Sequence, residues 1–383
     1  MYLKSLGLEQ FRCYARADIE LGPGLTVFVG SNASGKTSLL EAIYLLAVTK
    51  SHRTSVDRDL IQWDQGWSRV EGVFRSEERR DTSLRVTLWR TAKGENGSRS
   101  PRKTIEVNAV PKRRPAEIIG QAAVVIFGPD DLALVKGGPS LRRHFLNAGI
   151  AQARPMYLSD LMRYRRALRQ RNECLRLIRQ GLAGPELLPG WDAQLAESGS
   201  RIATARSEFV QALAPHVNRT QLELSGGKES VETVYHGDLA EAVDVDSRRV
   251  LLREMLTESL ERDVVLGRTQ RGPHRDEVEL LLASRSLRQF GSQGQQRTAA
   301  LSLTLAQAAV MQQWRRECPV ILLDDCLSEL DEDRARKVLE LTESVEQVIV
   351  STASWDRLLE EYASRARVFE VGEGQVRERG ETQ

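Results

Sequence analysis

The spacing of hydrophobic and polar positions changes character several times along the chain. Leu25-Thr26-Val27-Phe28-Val29 is a short apolar, β-branched run that stops at Gly30, the pattern of a buried strand entering a turn. Leu39, Leu40, Ile43, Tyr44 and Ala47 then recur at helical spacing, which predicts a helix with an apolar face for a sheet. Residues 68–126 alternate in short stretches such as Leu84–Trp89 and Thr104–Asn108 between Gly/Ser/Pro clusters, so antiparallel strands and hairpins are expected there.

From about Pro139 to Val217 the period becomes 3.6, and Leu161, Tyr164, Leu168, Leu175 and Ile178 form one stripe of a long amphipathic helix. Gly181–Gly190 breaks it, and a second helix begins near Trp191. Two helices of about 25 residues make a hairpin arm on the order of 40 Å, too short for a chromosome-scale coiled coil. After residue 265, Val320–Leu323 and Gln347–Val350 flank a helical segment, and strand, helix, strand marks a parallel sheet. No internal repeat is present, and only the polar stretch 92–103 and a short charged tail are low in complexity.

Composition narrows the class. The 383 residues suggest two or three domains, with 41% hydrophobic and 28% charged residues typical of a globular chain. No apolar run approaches the ~20 residues that span a bilayer, and no signal-peptide core follows Met1, so a cytoplasmic protein without a membrane partner is expected. With 55 Lys+Arg against 53 Asp+Glu, any basic surface must be local. Cys13, Cys174, Cys318 and Cys326 form no CxxC pair, and the five histidines form no spaced ligand pair, so neither a disulfide framework nor a transition-metal enzyme is indicated.

The chemistry starts at Gly30-Ser31-Asn32-Ala33-Ser34-Gly35-Lys36-Thr37, which matches G-x4-G-K-[ST] between a strand and a helix and is followed by Ser38. Such a loop turns successive N–H groups toward a phosphate at a helix N-terminus; Lys36 is expected to reach the β- and γ-phosphates, and Thr37 to offer its hydroxyl to Mg²⁺. The strand Val320–Leu323 ends in Asp324 and Asp325. Asp324 is the expected metal-side carboxylate, and Asp325, pointing elsewhere by strand alternation, is placed to orient or deprotonate an attacking water. Lys36 and Asp324 lie 288 positions apart, so something large is inserted. The insertion ends at Phe290–Arg297, a small polar segment before the helical run Ala299 to Ala309. Such a segment either caps that helix or offers N–H groups and a hydroxyl to a phosphate held by a second subunit.

Gln293-Gly294-Gln295-Gln296, Leu322–Asp325, Ser328–Asp331 and Gly272–Asp276, with Phe11-Arg12, Ser51-His52-Arg53, Asp131-Leu132, Arg142-Arg143, Tyr157, Tyr164 and Gln170–Asn172, resemble the RecF family of bacterial recombination-repair ATPases in kind and order. The resemblance covers nearly the whole chain. It implies an α/β, ABC-type P-loop ATPase head, related to those of SMC and Rad50 proteins, with an inserted helical-hairpin lobe: head segments 1–135 and 266–383 around an arm at 136–265. It implies two heads that sandwich two ATP molecules, with Ser292, Gly294 and Gln295 in a signature motif acting across the dimer and Asp331 in the D-loop beside it. Gln347–Thr352 holds the place of a switch histidine, with Ser351 and Thr352 as candidates. Asn147 stands where the family usually has Asp, and Asp325 where most ABC ATPases have Glu, which suits slow hydrolysis.

The implied function is ATP-driven head dimerisation on duplex DNA near single-strand gaps, with weak DNA-stimulated, Mg²⁺-dependent turnover acting mainly as a switch. The implied partners are RecR and RecO in loading RecA. The segment 163–179 carries seven arginines and one acid, Glu173; Arg165, Arg169 and Arg176 share the face opposite the apolar stripe. That face suits phosphate contacts and equally suits a solvated helix surface. Lys112–Arg114 and Arg102-Lys103 are further basic candidates. A transporter ATPase subunit is disfavoured by the absent LSGGQ-type sequence, and a Rad50-like tether by the missing long heptads and apical CxxC.

Overall fold

The computed structural model describes residues 1–78, 80–90, 102–355 and 357–380; most of the polar stretch 92–103 and the last three residues of the charged tail lie outside it. The described chain divides into two compact units, one of Met1–Asp131, Glu223–Gly227 and Gln307–Gln383, the other of Leu132–Leu222 and Lys228–Ala306.

The first unit begins with β1 (Tyr2–Phe11), β2 (Tyr14–Glu20) and β3 (Gly24–Val29), then α1 (Lys36–Val48), then β4 (Trp67–Arg75), β5 (Asp81–Trp89), β6 (Arg102–Val107), β7 (Val110–Lys112) and β8 (Val124–Phe127). Six of these strands form an antiparallel sheet in the order β2-β1-β4-β5-β6-β7. Burial alternates strictly along β4, so its even positions Val70 and Phe74 point into the core and its odd ones outward. The expectation of one apolar face on α1 is corrected: Leu39 to Ala47 are buried on every side of the helix. They share one core with β1 residues Leu6 and Leu8 and with Leu322 and Ile349 of the strands described below. A helix apolar all round must be enclosed on all sides, here between two sheets.

The second unit contains α2 (Leu132–Lys136), α3 (Pro139–Ala153), α4 (Pro155–Arg179), all but the end of α5 (Pro189–Leu224), β9 (Val231–His236), α6 (Val245–Glu258), α7 (Leu260–Leu266), β10 (Glu277–Leu282), β11 (Arg285–Ser286), α8 (Leu287–Phe290) and the start of α9 (Gln293–Arg315). Its three strands pair antiparallel as β11-β10-β9. The expected helix from Pro139 is two helices, because Arg154 takes a non-helical conformation and Pro155 starts a new helix at a position where its missing N–H costs nothing. The α4–α5 turn begins at Gly181, whose φ of +71° few other residues adopt readily.

Of the seven arginines in 163–179, one is not on the surface. Arg171 is fully buried: its Nε donates to Asp192 at 2.5 Å, and its Nη1 to Asp263 at 2.6 Å and to Thr269 Oγ1 at 2.9 Å. It ties α4 to α5 and α7 and is unavailable to any external phosphate.

The chain completes the first unit with β12 (Val320–Asp324), α10 (Glu332–Thr342), β13 (Gln347–Thr352), α11 (Arg357–Glu360), β14 (Ala366–Gly372) and β15 (Gln375–Glu378). Its second sheet runs β15-β14-β3-β13-β12-β8, parallel except for β15. The loop strand β3 and the acidic strand β12 are therefore not neighbours; β13 separates them, with Ser351 in register with both Phe28 and Asp324. Buried Gln347 joins this sheet to β1, accepting from Leu3 N and donating to Leu3 O and Gly22 O at 2.8–2.9 Å. No described helix is long and apolar enough to cross a membrane.

Candidate functional site

Ligands of parallel α/β sheets bind at the C-terminal strand ends, and there β3, β12 and β13 present their polar residues together. The loop Gly30–Gly35 leaves β3 and enters α1 through Gly35 at φ +113°, where a Cβ would come within 2.6 Å of Tyr14 Oη and 2.7 Å of Cys13 Sγ. At Gly30 a Cβ would meet Val371 O at 2.1 Å. Both glycines are therefore required by the packing, and Ala33 adopts φ +66° between them. Lys36 folds back over the loop, its Nζ donating to Gly30 O at 2.7 Å and Ser31 O at 3.0 Å. Ser34 Oγ is buried and has no hydrogen-bond partner among the described residues.

Opposite the loop, Asp324 is buried and has no cationic partner among the described residues. Its Oδ1 accepts from Thr37 Oγ1 at 3.0 Å and from Ser351 Oγ at 2.6 Å. An ionised carboxylate placed in the interior needs a counter-charge, and hard oxygen donors from a carboxylate and a hydroxyl are the set that suits Mg²⁺. The residues present thus fit that ion. Ser351 also accepts from Asp325 N at 3.0 Å, whereas Thr352 Oγ1 turns away to Ser354 O. Of the two candidates in the Gln347–Thr352 segment, Ser351 is the one at the site.

Asp325 sits beyond the strand end at φ +50°, a left-handed conformation unusual for a residue with a side chain. Its carboxylate accepts from Ser328 Oγ at 3.3 Å. Nearby, burial pushes the Asp131 carboxyl up to about 6, with Asp130 and Asp324 adding repulsion. Beside Lys36, Thr37 and Ser38 opens a cavity of about 420 Å³ walled by Arg12, Arg53 and Trp63. Arg12 is held there by the fully buried Glu41, with Nε and Nη2 donating at 2.8 and 2.7 Å. The sequence names Arg12 and Arg53 only through the resemblance and gives them no place at the site, and it misses Glu41 and Trp63, since a helical Glu and a loop Trp carry no local pattern.

In the second unit, Ser292 and Gln295 cap α9 reciprocally: Gln295 N donates to Ser292 Oγ at 3.2 Å, and Ser292 N to Gln295 Oε1 at 2.9 Å. Ser292 and Gly294 remain exposed. Asp331 is likewise the N-cap of α10, accepting from Arg334 N. Arg165 and Arg169 are exposed on α4, and Arg176 is exposed and paired with Glu173 at 2.6 Å. Lys103 is mostly buried against Asp57 and is spent inside the first unit.

A P-loop strand, an acidic strand two places away and an inserted helical lobe define an ABC-type ATPase head. The RecF/RecN/SMC N-terminal domain model matches residues 2–376. The DNA replication and repair protein RecF of Halalkalibacterium halodurans is 36% identical over 382 residues, covering 99% of this chain and all of the relative, and that of Bacillus cytotoxicus is 36% identical over 98% of each. The chain belongs to the RecF family. A solved structure of the recombination mediator protein RecF with ATP, from the RecFOR pathway, superposes with a TM-score of 0.87 at 32% identity, covering 99% of this chain and 98% of that one. An Smc head bound to the C-terminal winged-helix domain of ScpA is 17% identical with a TM-score of 0.55 and shares the fold.

Proposed function

We propose that the chain is an ATP-dependent DNA-binding protein of recombinational repair and replication restart, a slow Mg²⁺-dependent, DNA-stimulated ATPase that works mainly as a switch. The observation that carries this reading is the meeting of Thr37, Asp324 and Ser351 beside the Gly30–Gly35 loop. The RecF structure solved with ATP supports it from a relative.

On this reading the N–H groups of residues 30–38 cradle the phosphates, and Lys36 exchanges its two carbonyl partners for phosphate oxygens. Thr37 and Asp324 hold Mg²⁺, which when bound offsets the phosphate charge. Asp325 orients the water, and its short side chain, fixed by Ser328, keeps turnover slow. A second copy supplies Ser292, Gly294 and Gln295 at the terminal phosphate, with Asp331 beside them. Differential affinity of ATP for the closed dimer then drives closure on duplex DNA near single-strand junctions.

Arg165, Arg169 and Arg176 contact backbone phosphates without reading bases. RecR and RecO are the partners through which RecA loading is assisted, in the cytoplasm and on the nucleoid. The test is phosphate release with and without duplex DNA: turnover in the wild type and none in Lys36→Ala supports the reading, and equal turnover in both overturns it.

A further inference from the structure

The second unit holds a cavity of about 230 Å³ between α3, α4, α5 and the turn at Pro273, separate from the nucleotide site. Arg143, Asn147, Tyr164, Arg165, Arg206 and His274 contribute to its wall, and among the described residues no carboxylate lines it. The charges around it are unequal. Arg206 is matched by Asp276, with Nη1 to Oδ2 at 2.7 Å, but the same carboxylate also takes the Tyr235 hydroxyl. Arg143 donates to the main-chain oxygen of Asp276 at 2.7 Å and forms no ion pair within 4 Å among the described residues, although the Glu277 and Asp276 carboxylates lie close enough to favour its charge. Arg165 is exposed and has no carboxylate partner among the described residues.

Of the neutral groups, the Asn147 amide is the one set to donate, while Tyr164 and His274 spend their protons on each other and on the backbone. Asn147 Oδ1 is occupied by Tyr157 Oη and by Arg206 Nη2 at 2.9 Å, so the atom left to face a ligand is the amide nitrogen. His274 Nε2 meets Thr269 O at 3.1 Å, which places the ring proton there and leaves Nδ1 to accept from Tyr164 Oη at 2.7 Å. Burial, reinforced by Arg275 and Arg143, holds this imidazole at about 4, so it stays neutral and adds no charge. Burial and the neighbouring Arg206 likewise lower Arg143, and the carboxylates of Glu277 and Asp276 offset them only in part.

We propose that this cavity is an oxyanion pocket that binds a phosphate group, with Arg143 and Arg165 as the charged donors and the Asn147 amide beside them. Charge-assisted hydrogen bonds from guanidinium groups are the strong means of holding phosphate. The phosphate can come from a nucleic-acid backbone or from free phosphate, and the two sources share this chemistry. The inference is independent of the P-loop reading, because it uses no residue of the first unit.

The test is calorimetric titration of inorganic phosphate into the full-length protein saturated with ADP and Mg²⁺, so that the nucleotide site is filled. Wild type is expected to bind one saturable equivalent, and Arg165→Gln and Asn147→Asp to bind roughly tenfold more weakly or worse. Asn147→Asp puts a carboxylate where the amide stood with almost no change in volume. Arg165 is exposed, so Arg165→Gln decides the matter if the Asn147→Asp variant melts early. No saturable phosphate binding, or unchanged affinity in Arg165→Gln, overturns the proposal. A second titration with a short duplex present separates the sources: competition assigns the pocket to backbone phosphates, and additive binding assigns it to free phosphate.

Discussion

Thr37 Oγ1 donates a hydrogen bond to Asp324 Oδ1 at 3.0 Å across 287 positions of sequence. The strand order explains how: β3 and β12 flank β13, so the Thr37 hydroxyl at the start of α1, which follows β3, and the Asp324 carboxylate at the end of β12 converge at Ser351. Replacing Asp324 with Asn keeps the shape and removes the charge. Mg²⁺-dependent affinity for a fluorescent ATP analogue is expected to fall by about 10- to 100-fold, with metal-free binding little changed. Equal loss with and without magnesium would remove Asp324 from the metal side.

Ser351 acts through its neighbours. Its buried hydroxyl fixes Asp324 and receives the Asp325 amide, so Ser351→Ala leaves both with one partner fewer. The expected result is a loss of about 1–3 kcal/mol in stability by urea unfolding and a drop in turnover larger than the drop in ATP affinity. Unchanged turnover would make Ser351 a structural residue only.

Two arginines two positions apart on α4 are expected to behave oppositely. Arg171 is buried between Asp192 and Asp263, so Arg171→Met strands two carboxylates and costs about 3–5 kcal/mol. Arg169 is exposed, so Arg169→Gln leaves the melting curve in place, weakens duplex binding and reduces the slope of log affinity against log salt by about one. Measuring melting and salt dependence for both variants separates the roles.

His274 sets a pH dependence of stability. Its folded pKa of about 4 lies below the ordinary histidine value, so below pH ~6.5 the unfolded chain takes up a proton that the fold refuses. Stability from this group is complete at neutral pH and declines as pH falls from about 6.5 toward 4, by about 2 kcal/mol at pH 5. Urea unfolding at pH 7 and pH 5 is expected to show a smaller loss in His274→Gln than in wild type; identical losses would refute the assignment.

Much of this site is written locally. The Gly30–Thr37 spacing, the apolar strand ending in Asp324-Asp325 and the hairpin break after Arg179 each depend on residues a few positions apart, where steric and periodic rules act directly. What escaped depends on pairing at a distance. Nothing in β13 itself says that it inserts between β3 and β12, so the seat of Ser351 beside Asp324 emerges only with the sheet order. The burial of Arg171 is hidden for the same reason, because Asp192 and Asp263 lie 21 and 92 positions away. The helix start at Pro155, by contrast, has a local signal in the proline itself, which a reading by period passes over because the 3.6-residue period is taken to run unbroken from Pro139.

The central claim is that each copy holds half of a nucleotide enclosure and a second copy completes it. Light scattering coupled to size exclusion, with ATP, Mg²⁺ and duplex DNA, tests this most directly. Wild type is expected to shift from monomer to dimer only with ATP, and Ser292→Arg and Lys36→Ala to remain monomeric. A dimer that forms equally without nucleotide, or one that Ser292→Arg leaves intact, would contradict the account.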